Sequence, residues 1–204
     1  STGIDVTGTV TADGLTVDTD TLVVDATNNR VGIGTSPDFR LHVSGAGTVL
    51  GLNATSGAVS QRFNENGTAR FFLSTLNGSN GLAFVNGDGT SERMRIDTSG
   101  NVGIGCTPDA WSGYSALQIG TAGCLAASED TTFVGANAYS SASGWKYVTT
   151  DEASLYQQES GQHVWYGAAS GSADAAVSWS ERMRLDASGS VGIGASVYEG
   201  SVTS

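Results

Sequence analysis

Ser91-Glu92-Arg93-Met94-Arg95-Ile96-Asp97-Thr98-Ser99-Gly100-Asn101-Val102-Gly103-Ile104-Gly105 returns almost unchanged as Ser180 through Gly194, identical at 12 of 15 positions. Met94 and Ile96 alternate with Arg93 and Arg95, so the stretch reads as a strand with one apolar and one charged face. Ser99-Gly100 supplies residues that tolerate positive φ, as a tight hairpin needs. Val-Gly-Ile-Gly then returns as a second strand. Its alternate glycines present a bare face on which another backbone can come close, as strands wrapped round a narrow common axis require. A further Val-Gly-Ile-Gly lies at 31–34, after Asn28-Asn29. The first two copies also share their C-terminal flanks. Gly34-Thr35-Ser36-Pro37-Asp38 leads to Leu41-His42-Val43, and Gly105-Cys106-Thr107-Pro108-Asp109 leads to Leu117-Gln118-Ile119. Pro37 and Pro108 are the only prolines of the chain, and each should stop pairing and redirect the backbone.

Outward from these repeats the pattern stays β. Asn66-Gly67, Asn77-Gly78 and Asn86-Gly87 punctuate short runs at Ala58–Phe63, Thr68–Ser74 and Gly81–Val85, which is a hairpin signal. Trp145–Val148, His163–Tyr166 and Ala176–Asp186 read as further strands. No window carries a capped apolar stripe of helical period, so the expected class is all-β with little helix. The repeats suggest four segments: an N-terminal shaft repeat over 1–45, a middle β module over 46–105, an aromatic-rich β module over 106–179 and a C-terminal repeat over 180–204.

Composition argues against one well-filled core. Glycine and alanine make up 52 of the 204 residues, so a quarter of the chain has almost nothing to bury. A repetitive assembly that buries surface between chains suits this better than a compact globule. The formal net charge is −11, which repels phosphate backbones and argues against nucleic-acid binding. It keeps an exposed protein soluble. Ser1-Thr2-Gly3-Ile4-Asp5 lacks the features of a signal peptide, and runs such as Leu82–Val85 are far too short to cross a bilayer. Cys106 and Cys124 form neither a metal-type pair nor a disulfide framework. Cys106 stands where the other copies have Thr35 and Ala195, so it reads as a buried free thiol in a small-residue slot. No cofactor or metal is expected.

The unit Leu22–Pro37 followed by Leu41-His42-Val43 resembles a repeat frequent in phage tail fibres and tailspikes. The stretches Thr107–Gln118, Ala136–Tyr139, Gly144–Tyr147, Gln162–Tyr166 and Ser180–Asp186 resemble a second fibre module. The resemblance implies an elongated, intertwined homotrimer of short β-hairpins and small β modules, prism- or sandwich-like. It would be a structural and adhesive segment of a virion tail fibre, assembled in the host cytoplasm alongside other tail proteins. Its partners would be two further copies of itself and a host-surface glycan or protein receptor. Such repeats often precede an intramolecular chaperone of the endosialidase type that cleaves itself off after a serine, which makes Ser204 a candidate mature end. The competing reading is a glycan-cleaving tailspike.

Trp111, Tyr114, Trp145, Tyr147, Tyr156, Trp165 and Tyr166 are candidate contacts for a receptor glycan, since aromatic faces pack on sugar C–H surfaces. They could equally be the local β core. Arg93, Arg95, Arg182 and Arg184 could pair with carboxylates of a neighbouring chain and fix register. Hydrolysis would need two facing carboxylates, and Asp151, Glu152 and Glu159 are the only acidic cluster near the aromatics. His42 and His163 are the only histidines, and no nucleophile-elbow motif accompanies them. Asn86–Glu92 fails as a calcium loop, because its first and last ligand positions would be Phe84 and Arg95.

Overall fold

A computed structural model describes residues 9, 14–17, 21–48, 50–76 and 80–194. Asn77-Gly78 and the candidate end Ser204 lie outside the described residues. No helix occurs among those residues, and the chain is all-β. It divides into two compact units after Asn53.

The first unit is a four-stranded sheet of β1 (Gly14–Val17), β2 (Leu22–Asp25), β3 (Arg30–Ile33) and β4 (Leu41–Val43) in sequential order. The second unit begins with β5 (Ser60–Glu65), β6 (Thr68–Thr75), β7 (Leu82–Asn86), β8 (Glu92–Ile96), β9 (Val102–Ile104) and β10 (Ser115–Ile119). It continues with β11 (Gly123–Ser128), β12 (Thr131–Ala136), β13 (Ala138–Ser141), β14 (Gly144–Tyr147), β15 (Asp151–Glu159), β16 (Gln162–Gly171), β17 (Ser180–Leu185) and β18 (Val191–Ile193). All of these except the β13–β14 hairpin join one 12-stranded sheet in sequential order. The expected boundaries at 105/106 and 179/180 therefore fall inside continuous strand pairing. Ala176–Trp179, expected as strand, instead crosses over the sheet before β17 begins, with one isolated bridge from Ala176 to Lys146.

The repeat folds by the same devices each time. At the hairpin tip, Asp97 Oδ1 accepts the backbone N–H of Ser99 and Asn101, both at 2.8 Å. Asp186 does the same for Ser188 and Ser190 at 2.9 and 2.8 Å, and Asp25 accepts Asn28 N–H at 3.0 Å. These carboxylates bond their own backbone a few residues on and so template the turn. The returning Val-Gly-Ile strand then pairs in parallel with the strand after the proline, β3 with β4 and β9 with β10. The connecting loop has to pass over the sheet to reach that position. A Cβ on Gly103 would lie 2.3 Å from Cys106 O and 2.8 Å from Pro108 Cδ, and one on Gly32 would lie 2.1 Å from Thr35 O. At Gly32 and Gly103 the backbone that comes close is thus the chain's own proline loop.

Each Ser-Glu-Arg-Met-Arg strand carries a β-bulge. Phe84 faces Met94 while the adjacent Val85 faces Glu92, leaving Arg93 as the extra residue. Trp165 faces Met183 and Tyr166 faces Glu181, leaving Arg182 in the same position. The bulge turns the glutamate onto the face of the arginine three residues on. Arg95 Nη2 donates to Glu92 at 2.8 Å and Arg184 Nη2 donates to Glu181 at 2.7 Å. The bulged carbonyls of Arg93 and Arg182 accept the N–H of Gly105 and Gly194, each at 2.9 Å.

Part of one face of the long sheet, from β10 to β16, is covered. The β13–β14 hairpin and the loops before β10 and β17 lie over β10, β11, β12, β15 and β16. Trp111, Ala116, Cys124, Ala126 and Tyr139 form one buried cluster, and Ala138, Tyr147, Ala153 and Ala168 form another. Trp145 packs against both, with its ring 5.1 Å from Phe133 and 6.1 Å from Trp111. Asn137, buried at positive φ, ties the hairpin down. Its side-chain amide donates to Thr149 O and Glu152 O, and its Oδ1 accepts Thr149 N–H.

Candidate interaction surface

The other face of the long sheet is uncovered, and the register makes it apolar. Side chains directly opposite one another across a ladder stand on the same face. Reading across from β7, Leu82 faces Ile96, Ile96 faces Val102, and Val102 faces Leu117. The row continues through Leu125, Val134, Tyr156, Trp165, Met183 and Ile193. Ten strands contribute one residue each, and every one is aliphatic, sulfur-bearing or aromatic. A second row runs beside it from Leu73 through Phe84, Met94 and Ile104 to Ile119. Six residues of these rows are exposed, among them Ile119 at 53%, Val134 at 50% and Ile193 at 76%, and the other nine are half-buried. Water touches the very positions that alternation would bury.

The four-stranded sheet shows the same pattern on a smaller scale. Val17 faces Leu22, Leu22 faces Ile33, and Ile33 faces Val43. Val17 and Ile33 are exposed, as is Leu41 beside them.

The seven candidate aromatics divide among three environments. Trp111 and Tyr147 are buried, and Tyr114 and Trp145 pack onto the clusters beneath the hairpin. These four hold the covering layer down, and Tyr114 also lines an open cavity with Gly113, Ser115 and Glu129. Tyr156 and Trp165 stand on the open face, stacked at 4.9 Å between centroids. The Tyr156 hydroxyl shares a 2.5 Å hydrogen bond with Nδ1 of His163. Tyr166 points to the covered face, where burial pushes its hydroxyl pKa up.

The four arginines divide too. Arg95 and Arg184 are held by glutamates of their own strand at 2.5 and 2.7 Å, so their charge is answered inside the chain. Arg93 and Arg182, the bulge residues, are exposed and make no ion pair among the described residues.

Asp151 and Glu152 open β15 and Glu159 closes it. A strand of that length separates its ends by roughly 25 Å, so these carboxylates do not face one another. No group of three or more metal-ligating side chains occurs among the described residues. Both cysteines are free. Cys124 is buried and its thiol pKa is pushed up to about 11 by desolvation. Cys106 is only half-buried, against the expectation of a buried thiol, and its Sγ lies 3.6 Å from Gln118 O.

No protein-family model matches the chain, and no curated protein is significantly similar to it. The open apolar face is the feature for which a function must account. Sequence reading missed it because it is assembled by register across ten strands, each contributing a residue unremarkable by itself.

Proposed function

We propose that this chain is a structural and adhesive segment of a viral tail fibre, working as a homotrimer in which three copies cover one another's open apolar faces. The observation that carries this reading is the unbroken apolar row from Leu82 to Ile193 on a sheet whose opposite face has its own core. A monomer seldom leaves so much contiguous apolar surface in water. A second and third copy, identical in length and pattern, supply matching rows. The net charge of −11 keeps the outer surface of such an assembly soluble. On this reading the segment sits in the virion, assembles in the host cytoplasm, and contacts a surface receptor and neighbouring tail proteins. Arg93 and Arg182, unpaired within the described residues, are available for carboxylates of a neighbouring copy.

Sedimentation equilibrium of the 204-residue chain tests the reading, with trimer mass expected. Val134→Asp and Leu125→Asp each place a carboxylate in the middle of the row and should abolish the trimer. A folded, monodisperse monomer in the unsubstituted protein would end this account.

A further inference from the structure

The covered face changes character along the β15–β16 hairpin. Ala153 and Leu155 are core residues there, but the next two positions on that face are Gln157 and Glu159. Gln157 faces Val164 and Glu159 faces Gln162 across the hairpin, and Arg184 faces Val164 from β17. With Tyr166 and Ser160 these side chains enclose an open cavity of about 170 Å³. Val164, only 5% exposed, forms its apolar floor. Packing demands neither amide at these positions. The other Arg–Glu clasp, at Arg95, opens on Thr90, Gly105, Cys106 and Thr107 and has no such ring of amides.

We propose that this cavity binds a single neutral pyranose ring. Its volume lies below the roughly 300 Å³ at which pockets for drug-sized ligands begin, so one ring fits better than an extended ligand. Its polar groups have unused capacity. Gln157 Nε2 donates to Glu159, which leaves its Oε1 free, and Gln162 Oε1 accepts from Arg184, which leaves its Nε2 free. The Tyr166 hydroxyl makes no hydrogen bond among the described residues. Donors and acceptors side by side next to an aromatic edge are what vicinal hydroxyls require. An anionic sugar is disfavoured, because Glu181 already neutralises Arg184 at 2.7 Å and Glu159 adds a negative charge. The cavity opens on the face opposite the bare apolar rows, so covering those rows leaves it accessible. The choice of a saccharide rests on the attachment role proposed above, but the cavity itself is built by one chain alone.

Saturation-transfer NMR on the full chain tests this, using methyl glucopyranoside, methyl galactopyranoside and methyl N-acetylglucosaminide, with N-acetylneuraminic acid as the anionic probe. Transfer to at least one neutral pyranoside is expected, with a Kd on the order of 1 mM, as a single ring with few contacts binds. N-acetylneuraminic acid should show none. Gln157→Leu should abolish transfer, Tyr166→Phe should weaken binding about 3- to 10-fold, and Ser99→Ala on the β8–β9 turn, several strands away, should leave it unchanged. Near-UV circular dichroism identifies any variant that fails to fold, and Tyr166→Phe, which keeps the ring, covers that case for Gln157→Leu. No transfer to any neutral pyranoside, or equal transfer in folded Gln157→Leu, overturns the site. Sedimentation of the same samples separates the two readings. A trimer that ignores sugars sinks the cavity alone, and a folded monomer that binds them sinks the trimer alone.

Discussion

At the scale of single residues, the repeat is decided by its aspartates and glycines. Gly103 leaves room for a proline loop whose nearest atom would lie 2.3 Å from an added Cβ. Gly103→Ala should therefore cost about 1–3 kcal/mol, the range for forcing extra atoms into a packed site. Urea denaturation measures it, and an unchanged midpoint would contradict the loop placement. Gly100→Ala meets nothing within 4 Å but sits at φ +86°, so it should cost only the backbone strain of about 1 kcal/mol. The glycine spacing itself was legible in the sequence. The loop lying over it was not, because a bare face looks the same whether a neighbouring chain or a loop of the same chain fills it. The turn-forming role of Asp97 and Asp186 was not legible, because Ser-Gly already accounted for the turn and the aspartates show their part only in their bonds to backbone N–H. Burial of Cys124 gives a further test. Its thiol should resist alkylation at pH 8 until the chain unfolds, while half-buried Cys106 reacts first.

At the scale of the element, strand positions follow from alternation and turn residues. β5, β6 and β7 fall within a few residues of the expected runs. The bulge is harder to read. Arg93 and Arg95 look like neighbours on one charged face, but an unpaired Arg93 breaks the alternation and aligns Glu92 with Arg95 instead. An ion pair between residues three apart in a strand is the trace such a bulge leaves. Deleting Arg182 should restore plain alternation and leave Glu181 opposite Tyr166, on the same face as Arg184. The expected result is that the ion pair, and the acid sensitivity it confers, survive the deletion, while the bond from Gly194 N–H to the Arg182 carbonyl is lost. The arginine holds the Glu181 carboxyl below its ordinary pKa. Its contribution is therefore complete above the ordinary carboxylate value and is lost as pH falls through the depressed one. Glu181→Gln should lower stability near neutrality and close the gap to the unsubstituted protein as the solution is acidified. A gap that widens towards low pH would reverse the sign and rule the pair out.

At the scale of the whole chain, the all-β class could be read from the sequence, and the continuity of the second unit's sheet could not. Repeats suggest separate modules, yet strand pairing from β5 to β18 runs through every repeat after the first. Strand-to-strand continuity depends on backbone hydrogen bonds, which leave no compositional mark at a module boundary. The aromatics were readable only as a set, because a tryptophan that pins a hairpin and one that faces water look alike in a sequence. A dye that fluoresces on apolar surface provides a whole-molecule prediction. It should bind Val134→Asp chains strongly and the unsubstituted assembly weakly. Equal signals would mean the row stays wet in both.

The row from Leu82 to Ile193 also sets a length. Nine steps between neighbouring strands, each about 4.8 Å, make a greasy seam of roughly 43 Å. A short peptide cannot close such a seam, and neither can a partner seated a few strands out of step, since each slip leaves an uncovered end. Closure must run the whole distance, like a zip with no useful halfway point. On the trimer reading proposed above, a newly made chain waiting for its fellows would be most vulnerable to sticking elsewhere in that interval.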